Sequence, residues 1–173
     1  HEIYVCAGNC LRGVVLTAAE MGAQRRFSTI TIKENNVLDG DMESLLIDGV
    51  TDILNRLPSL PPAVLVYTSC IHHFLGCDLA LCYRELRSRF PTVDFTDCYM
   101  NPIMRKSGLT PDQLMRKQLY SLLKPRAQDT GVNILGNCFE TDESSELVKI
   151  IRAAKRPLRD ITQCRTYEDY QNM

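Results

Sequence analysis

Eight cysteines in a chain of 173 residues are the side chains best placed to do chemistry: Cys6, Cys10, Cys70, Cys77, Cys82, Cys98, Cys138 and Cys164. The first residues carry no basic head followed by an apolar run, so a reducing cytoplasm is the expected compartment, where cysteines at loop mouths point to metal or redox work before disulfides. Cys10 and Cys70 each follow a β-type run and precede a helical pattern. They are either small residues filling tight strand-to-helix turns or thiolates that helix dipoles stabilise and a metal can reach. Cys6 stands four residues before Cys10, a spacing compatible with shared ligation and equally with a packed thiol. Cys82 and Cys98 are expected in the core as small hydrophobes. His72 and His73 follow Cys70 closely, but consecutive side chains point in different directions, so a solvent-facing or helix-capping role is expected for them.

The elements that must position these residues read as alternating strand and helix. Ile3-Tyr4-Val5 leads into a Gly8-bearing turn and a helical pattern from Leu11 to Met21, closed by Gly22. Arg26 to Ile32 is β-rich, and Asp41 to Leu57 carries Leu45, Leu46, Val50, Ile53 and Leu54 on one face, with Asp39 or Asp41 as its cap. Ala63 to Tyr67 is a continuous apolar run suited to a central parallel strand. Asp78 to Phe90 is helical in pattern, Val93 to Thr96 is a fourth strand ending before Asn101-Pro102, and Thr110-Pro111 opens a further helix through Leu123. This order predicts an α/β fold, a doubly wound, Rossmann-like parallel sheet over residues 1–128. Turn chemistry at Asp129-Thr130-Gly131 suggests a boundary, followed over 129–173 by the start of a second, incomplete α/β domain: a strand at Val132 to Leu135, a helix from Asp142 to Ala154 and a strand at Leu158 to Ile161.

Composition narrows the function. With 20 Lys and Arg against 21 Asp and Glu, the net charge is −1, so there is no basic excess for nucleic acid. No apolar run is long enough for a membrane span. Neither a glycine-rich phosphate loop nor a Gly-x-Ser-x-Gly elbow occurs in the sequence.

Several short motifs together resemble the nitrogenase component 1 family, which includes nitrogenase subunits, cofactor-assembly scaffolds and dark-operative protochlorophyllide reductase. They are Phe27-Ser28-Thr29 with Glu34 and Gly40, the strand ending Tyr67-Thr68-Ser69-Cys70, and Gly76-Cys77-Asp78-Leu79. Val132 to Gly136 with Asp142, Glu146-Leu147 and Tyr167-Glu168 looks like the opening of the family's second domain. Val5-Cys6-Ala7 stands where the family commonly has His-Gly-Pro, and Cys77 replaces the first Asp of a Gly-Asp-Asp helix start.

The resemblance implies that Cys10 and Cys70 ligate an iron–sulfur cluster of the 4Fe–4S kind at a subunit interface, with Cys6 as a third metal ligand if its loop turns outward. It implies a homo- or hetero-oligomer with a paralogous component 1 subunit, and electrons from an ATP-dependent reductase component. Family subunits have three α/β domains and this chain reaches only into the second, so it is expected as a fragment or shortened relative that does not catalyse alone. The alternative is a metallocluster assembly scaffold or binding module without turnover.

Overall fold

The computed structural model describes residues 1–100 and 108–173, grouped into two compact units, His1–Gln118 and Leu119–Met173. In the first unit, β1 (Glu2–Ala7), β2 (Phe27–Ile32), β3 (Ala63–Ser69) and β4 (Asp94–Met100) form a parallel sheet in the order β2-β1-β3-β4. Its helices are α1 (Gly8–Glu20), α2 (Glu34–Asp39), α3 (Met42–Arg56), α4 (Cys70–Phe74), α5 (Leu79–Arg89) and α6, which begins at Pro111. The expected doubly wound α/β sheet is the observed one.

The strand order explains where the helices go. The chain steps from β1 outward to β2 and then back across β1 to β3, so right-handed crossovers place α1 on one face and α3 and α5 on the other. Ile3, Val5, Ile30, Ile32, Val64, Val66 and Phe95 meet Met42, Leu46, Val50 and Leu54 of α3 and Cys82 and Leu86 of α5 in one core. These side chains alternate along each strand and recur at helical spacing along each helix, which is the pattern that buries one sheet face. The opposite face is covered differently, since α1 buries only Leu11. Asp78 caps α5 by accepting a hydrogen bond from the Leu81 N–H at 2.9 Å. Its own N–H donates to Glu43 Oε1 at 2.8 Å, joining the starts of α3 and α5.

Two short helices, α2 and α4, depart from the sequence expectation. In α2 the Lys33 N–H donates to Asn36 Oδ1 at 2.9 Å, and Gly40, at φ 68°, ends the turn. Asp41 occupies the cap position of α3 without a capping hydrogen bond. β3 continues through Ser69, beyond the expected Tyr67. Asn101-Pro102, expected just after β4, lie outside the described residues.

The second unit pairs β5 (Val132–Ile134) with β6 (Leu158–Asp160) in parallel and contains α7 (Glu146–Ala153) and α8 (Tyr167–Gln171). Ser145 caps α7 through Val148 N–H at 3.3 Å, so the helix starts later than Asp142. The segment after Gln118 belongs here because the Tyr170 hydroxyl donates to Leu119 O, Gln171 Nε2 donates to Leu122 O at 2.7 Å, and Lys124 N–H donates to Gln171 Oε1 at 3.1 Å. The polar stretch from Arg126 to Gly131 therefore lies inside this unit.

Candidate functional site

The site is built at the carboxyl edge of the first sheet, where β1 and β3 run side by side. Tyr4 pairs with Tyr67 and Val5 with Thr68, so the ends of the two strands lie level, about 4.8 Å apart in the pairing direction. β1 ends at Ala7 and Cys10 follows in the first turn of α1; β3 ends at Ser69 and Cys70 opens α4. The topology reverses between these same two strands. That is the crevice in which open α/β sheets usually take ligands, because the loops there diverge to opposite faces.

The three candidate cysteines occupy different surroundings. Cys10 is exposed, Cys70 is partly buried, and Cys6 is fully enclosed on β1. Burial, with a smaller contribution from the neighbouring Cys10, pushes the Cys6 thiol up to about 11, so it is protonated at neutral pH. Cys77 and Cys164 are partly buried and burial raises both thiols, while Cys138 is exposed. Cys82 and Cys98 sit in the interior with no exposed surface, where they were expected. Among the described residues, no group of three or more His, Cys, Asp or Glu side chains is arranged to hold a metal ion.

Several features favour an electron-rich group at this edge. The cap position of α1 is Ala7, no side chain caps the helix, and its first turn holds no acidic residue, so the positive end of its dipole is uncompensated. On the β3 side, Ser69 is 4% exposed and stands at the N-cap of α4. Its backbone N–H donates to Nδ1 of His72 at 3.3 Å, which makes His72 the cap partner of α4. His72 is accordingly buried at 2% exposure, whereas His73 faces solvent, so the two histidines diverge as expected. Burial pushes the His72 imidazole down, which keeps it neutral, and Nδ1 as acceptor then places the proton on Nε2.

Below the edge, on the α1 face, a groove of about 750 Å³ is lined by Cys10, Gly13 and Val14 of α1 and by Tyr4, Leu65 and Tyr67 of the sheet. Of the three candidate cysteines, Cys10 lines this groove and Cys6 and Cys70 do not; sequence reasoning missed its aromatic lining, Tyr4 and Tyr67, although their alternation with Ile3, Val5 and Val66 places both on this face.

No protein-family model matches the sequence, and no curated protein matches it. Among solved structures, the chain is similar to "Nitrogenase Cp1 at pH 6.5", with a TM-score of 0.63 and 16% identity over 92% of this chain. At that identity the likeness shows the fold. The chain spans 35% of the length of that neighbour.

Proposed function

We propose that this chain supplies the thiolates of Cys10 and Cys70 to an iron–sulfur cluster completed by a second subunit, within a nitrogenase-like oxidoreductase that receives electrons from an ATP-dependent reductase component. The observation that carries the reading is the adjacency of β1 and β3: one thiol follows each strand, at the edge where the topology reverses. Two thiolates would supply half of the ligands of a four-thiolate cluster. Cys10 is exposed and Cys70 is partly exposed there, and the uncapped α1 terminus suits an anionic group.

When bound, such a cluster supplies one-electron storage and transfer. This chain would contribute the Cys10 and Cys70 thiolates, which follow the neighbouring ends of β1 and β3. Cys6 is enclosed on β1 and would become a ligand only if the β1–α1 turn opened outward. A scaffold without turnover needs the same half-set of ligands, and electron transfer from a reductase component separates the two readings.

The test is anaerobic treatment of the full chain with ferrous iron, sulfide and thiol reductant, followed by iron and sulfide analysis across its assembly states. Iron and sulfide should accompany a dimer, or a complex with a paralogous subunit, and disappear in Cys10→Ser and Cys70→Ser. Retention of neither element in any assembly state, or a complete stable cluster on the monomer, would overturn the proposal.

A further inference from the structure

Gly13 in α1 and Gly49 in α3 both stand in the interior of a helix, where glycine is among the poorest residues. Gly49 is explained by its neighbour: a Cβ there would stand 2.7 Å from Ile30 Cδ1, so the bare backbone lets α3 close on β2. At Gly13 a Cβ would meet nothing within 4 Å among the described residues. The space left open there belongs to the groove of about 750 Å³ on the α1 face, which Tyr4, Phe27 and Tyr67 also line. α1 buries only Leu11, so the helix does not close over this side of the sheet. The volume falls within the roughly 300–1,000 Å³ of small-molecule sites.

The lining selects a chemistry. Tyr4 and Tyr67 cover one another's faces, and Phe27 is tilted against Tyr4. Their stacking runs from strand to strand, so the two tyrosine rings stand on the sheet and turn their edges to the groove. Aromatic edges carry positive potential and favour the face of another ring, or an anion, over a cation. Glu2, the acid in the lining, already accepts a hydrogen bond from the Tyr4 hydroxyl at 3.0 Å. Arg26 lines the same groove, is exposed, and has no ion-pair partner among the described residues. The charge left to be matched is therefore a cation.

We infer that the groove binds a small planar aromatic acid, its rings lying between Gly13 and the tyrosine edges and its carboxylate or sulfonate paired with Arg26. The inference uses neither the Cys10 nor the Cys70 thiol and does not rest on metal ligation. A glycine that weakens the helix in the empty chain then has its reason in the ligand that occupies the space beside it.

The test uses two probes with one ring system: 1-anilinonaphthalene-8-sulfonate, which is anionic, and N-phenyl-1-naphthylamine, which lacks the sulfonate. Binding to the full chain is followed by probe fluorescence, with sedimentation at the same concentrations. Both probes should bind saturably at one site per chain, the sulfonate roughly tenfold tighter, the scale for a hydrogen bond between charged groups. Arg26→Gln should remove that advantage and leave the affinity of the uncharged probe unchanged. Gly13→Leu should weaken both probes by roughly tenfold or more, because its side chain takes up the space, and Gly13→Ala should weaken them less. Leucine and alanine are better helix formers than glycine, so both variants should unfold at the same urea concentration as wild type or a higher one.

Binding undiminished by Gly13→Leu would place the probes on other apolar surface and overturn the inference. Equal affinities of the two probes in wild type, or a difference that survives Arg26→Gln, would remove the role of Arg26 and overturn it too. A lower urea midpoint for Gly13→Ala would show that the glycine serves the fold itself, with the same result. A chain that sediments as a dimer and takes up neither probe would assign the groove to a second copy and likewise overturn it.

Discussion

Tyr4 and Tyr67 stack face to face across β1 and β3, with ring centroids 4.3 Å apart and planes 6° from parallel. Their pairing in the strand register brings the two rings directly opposite on the α1 face. Phe27 of β2 adds a tilted ring at 5.1 Å from Tyr4, so aromatic contact spans three neighbouring strands. Cys98 of β4 stands beside Tyr67 in the strand register. Side-chain contacts of this kind fix β1 against β3, and with them the relative position of the strand ends that lead to Cys10 and Cys70.

The first prediction is that Tyr67→Ala destabilises the first unit by about 3–4 kcal/mol, the scale for removing a buried aromatic ring. Tyr67→Phe keeps the ring and the stack, so a loss of about 1 kcal/mol or less is expected. Urea unfolding followed by tyrosine fluorescence or circular dichroism checks both.

A second prediction concerns the junction of α3 and α5. Asp78→Ala removes the acceptor of the Leu81 N–H and should cost about 1 kcal/mol. Because the Asp78 backbone N–H still reaches Glu43, Asp78→Asn, which keeps a capping oxygen, should retain most of the stability. Unfolding midpoints of the two variants against wild type measure the difference.

The sheet could be read from sequence because its buried face alternates without interruption: Ile3 and Val5, Ile30 and Ile32, Val64 and Val66 all point into one core. The same argument failed for α2 and α4, which are too short to show a period and depend on local hydrogen bonds to Asn36 and His72. The placement of Cys10 and Cys70 at one edge was also legible, since each follows a strand. Strand adjacency was not, because no local pattern states whether β3 pairs with β1 or with β2.

The third prediction lies in the second unit. Asp160 is 4% exposed and accepts hydrogen bonds from Asn137 Nδ2, from the backbone N–H and hydroxyl of Thr141, and from the same two groups of Thr162. Burial alone would raise its carboxyl, but the donors outweigh burial and hold it well below the usual carboxylate range. The ionised form is thus favoured more in the folded than in the unfolded chain, so its stabilising effect is present above the unfolded value near 3.8 and is lost as pH falls below it. Asp160→Asn should cost about 2 kcal/mol at neutral pH, with the gap from wild type narrowing in acid below pH 4. Amide exchange at Val132–Ile134 and Leu158–Asp160 reads this locally.

The fourth prediction orders the thiols by reactivity. Alkylation needs a thiolate that the reagent can touch. Cys6, Cys82 and Cys98 have no exposed surface, and burial pushes their thiols up to about 11, 11 and 12. At pH 8 the ionised fraction of such a thiol is on the order of one in a thousand or less, and the small part that ionises is still enclosed. These three should therefore be labelled by iodoacetamide only as the first unit unfolds, on the timescale of global opening. Cys10 and Cys138 are exposed and should be labelled first, with Cys70, partly buried, behind them. Peptide mass spectrometry over a time course resolves the order. Repeating the course after anaerobic loading with ferrous iron and sulfide separates ligation from simple exposure, because a thiolate bonded to iron is no longer free to attack. Cys10 and Cys70 should then become protected together while Cys138 keeps its rate. Protection of Cys138 to the same extent, or continued labelling of Cys10 in a chain that retains iron, would place the metal elsewhere than at the shared edge of β1 and β3.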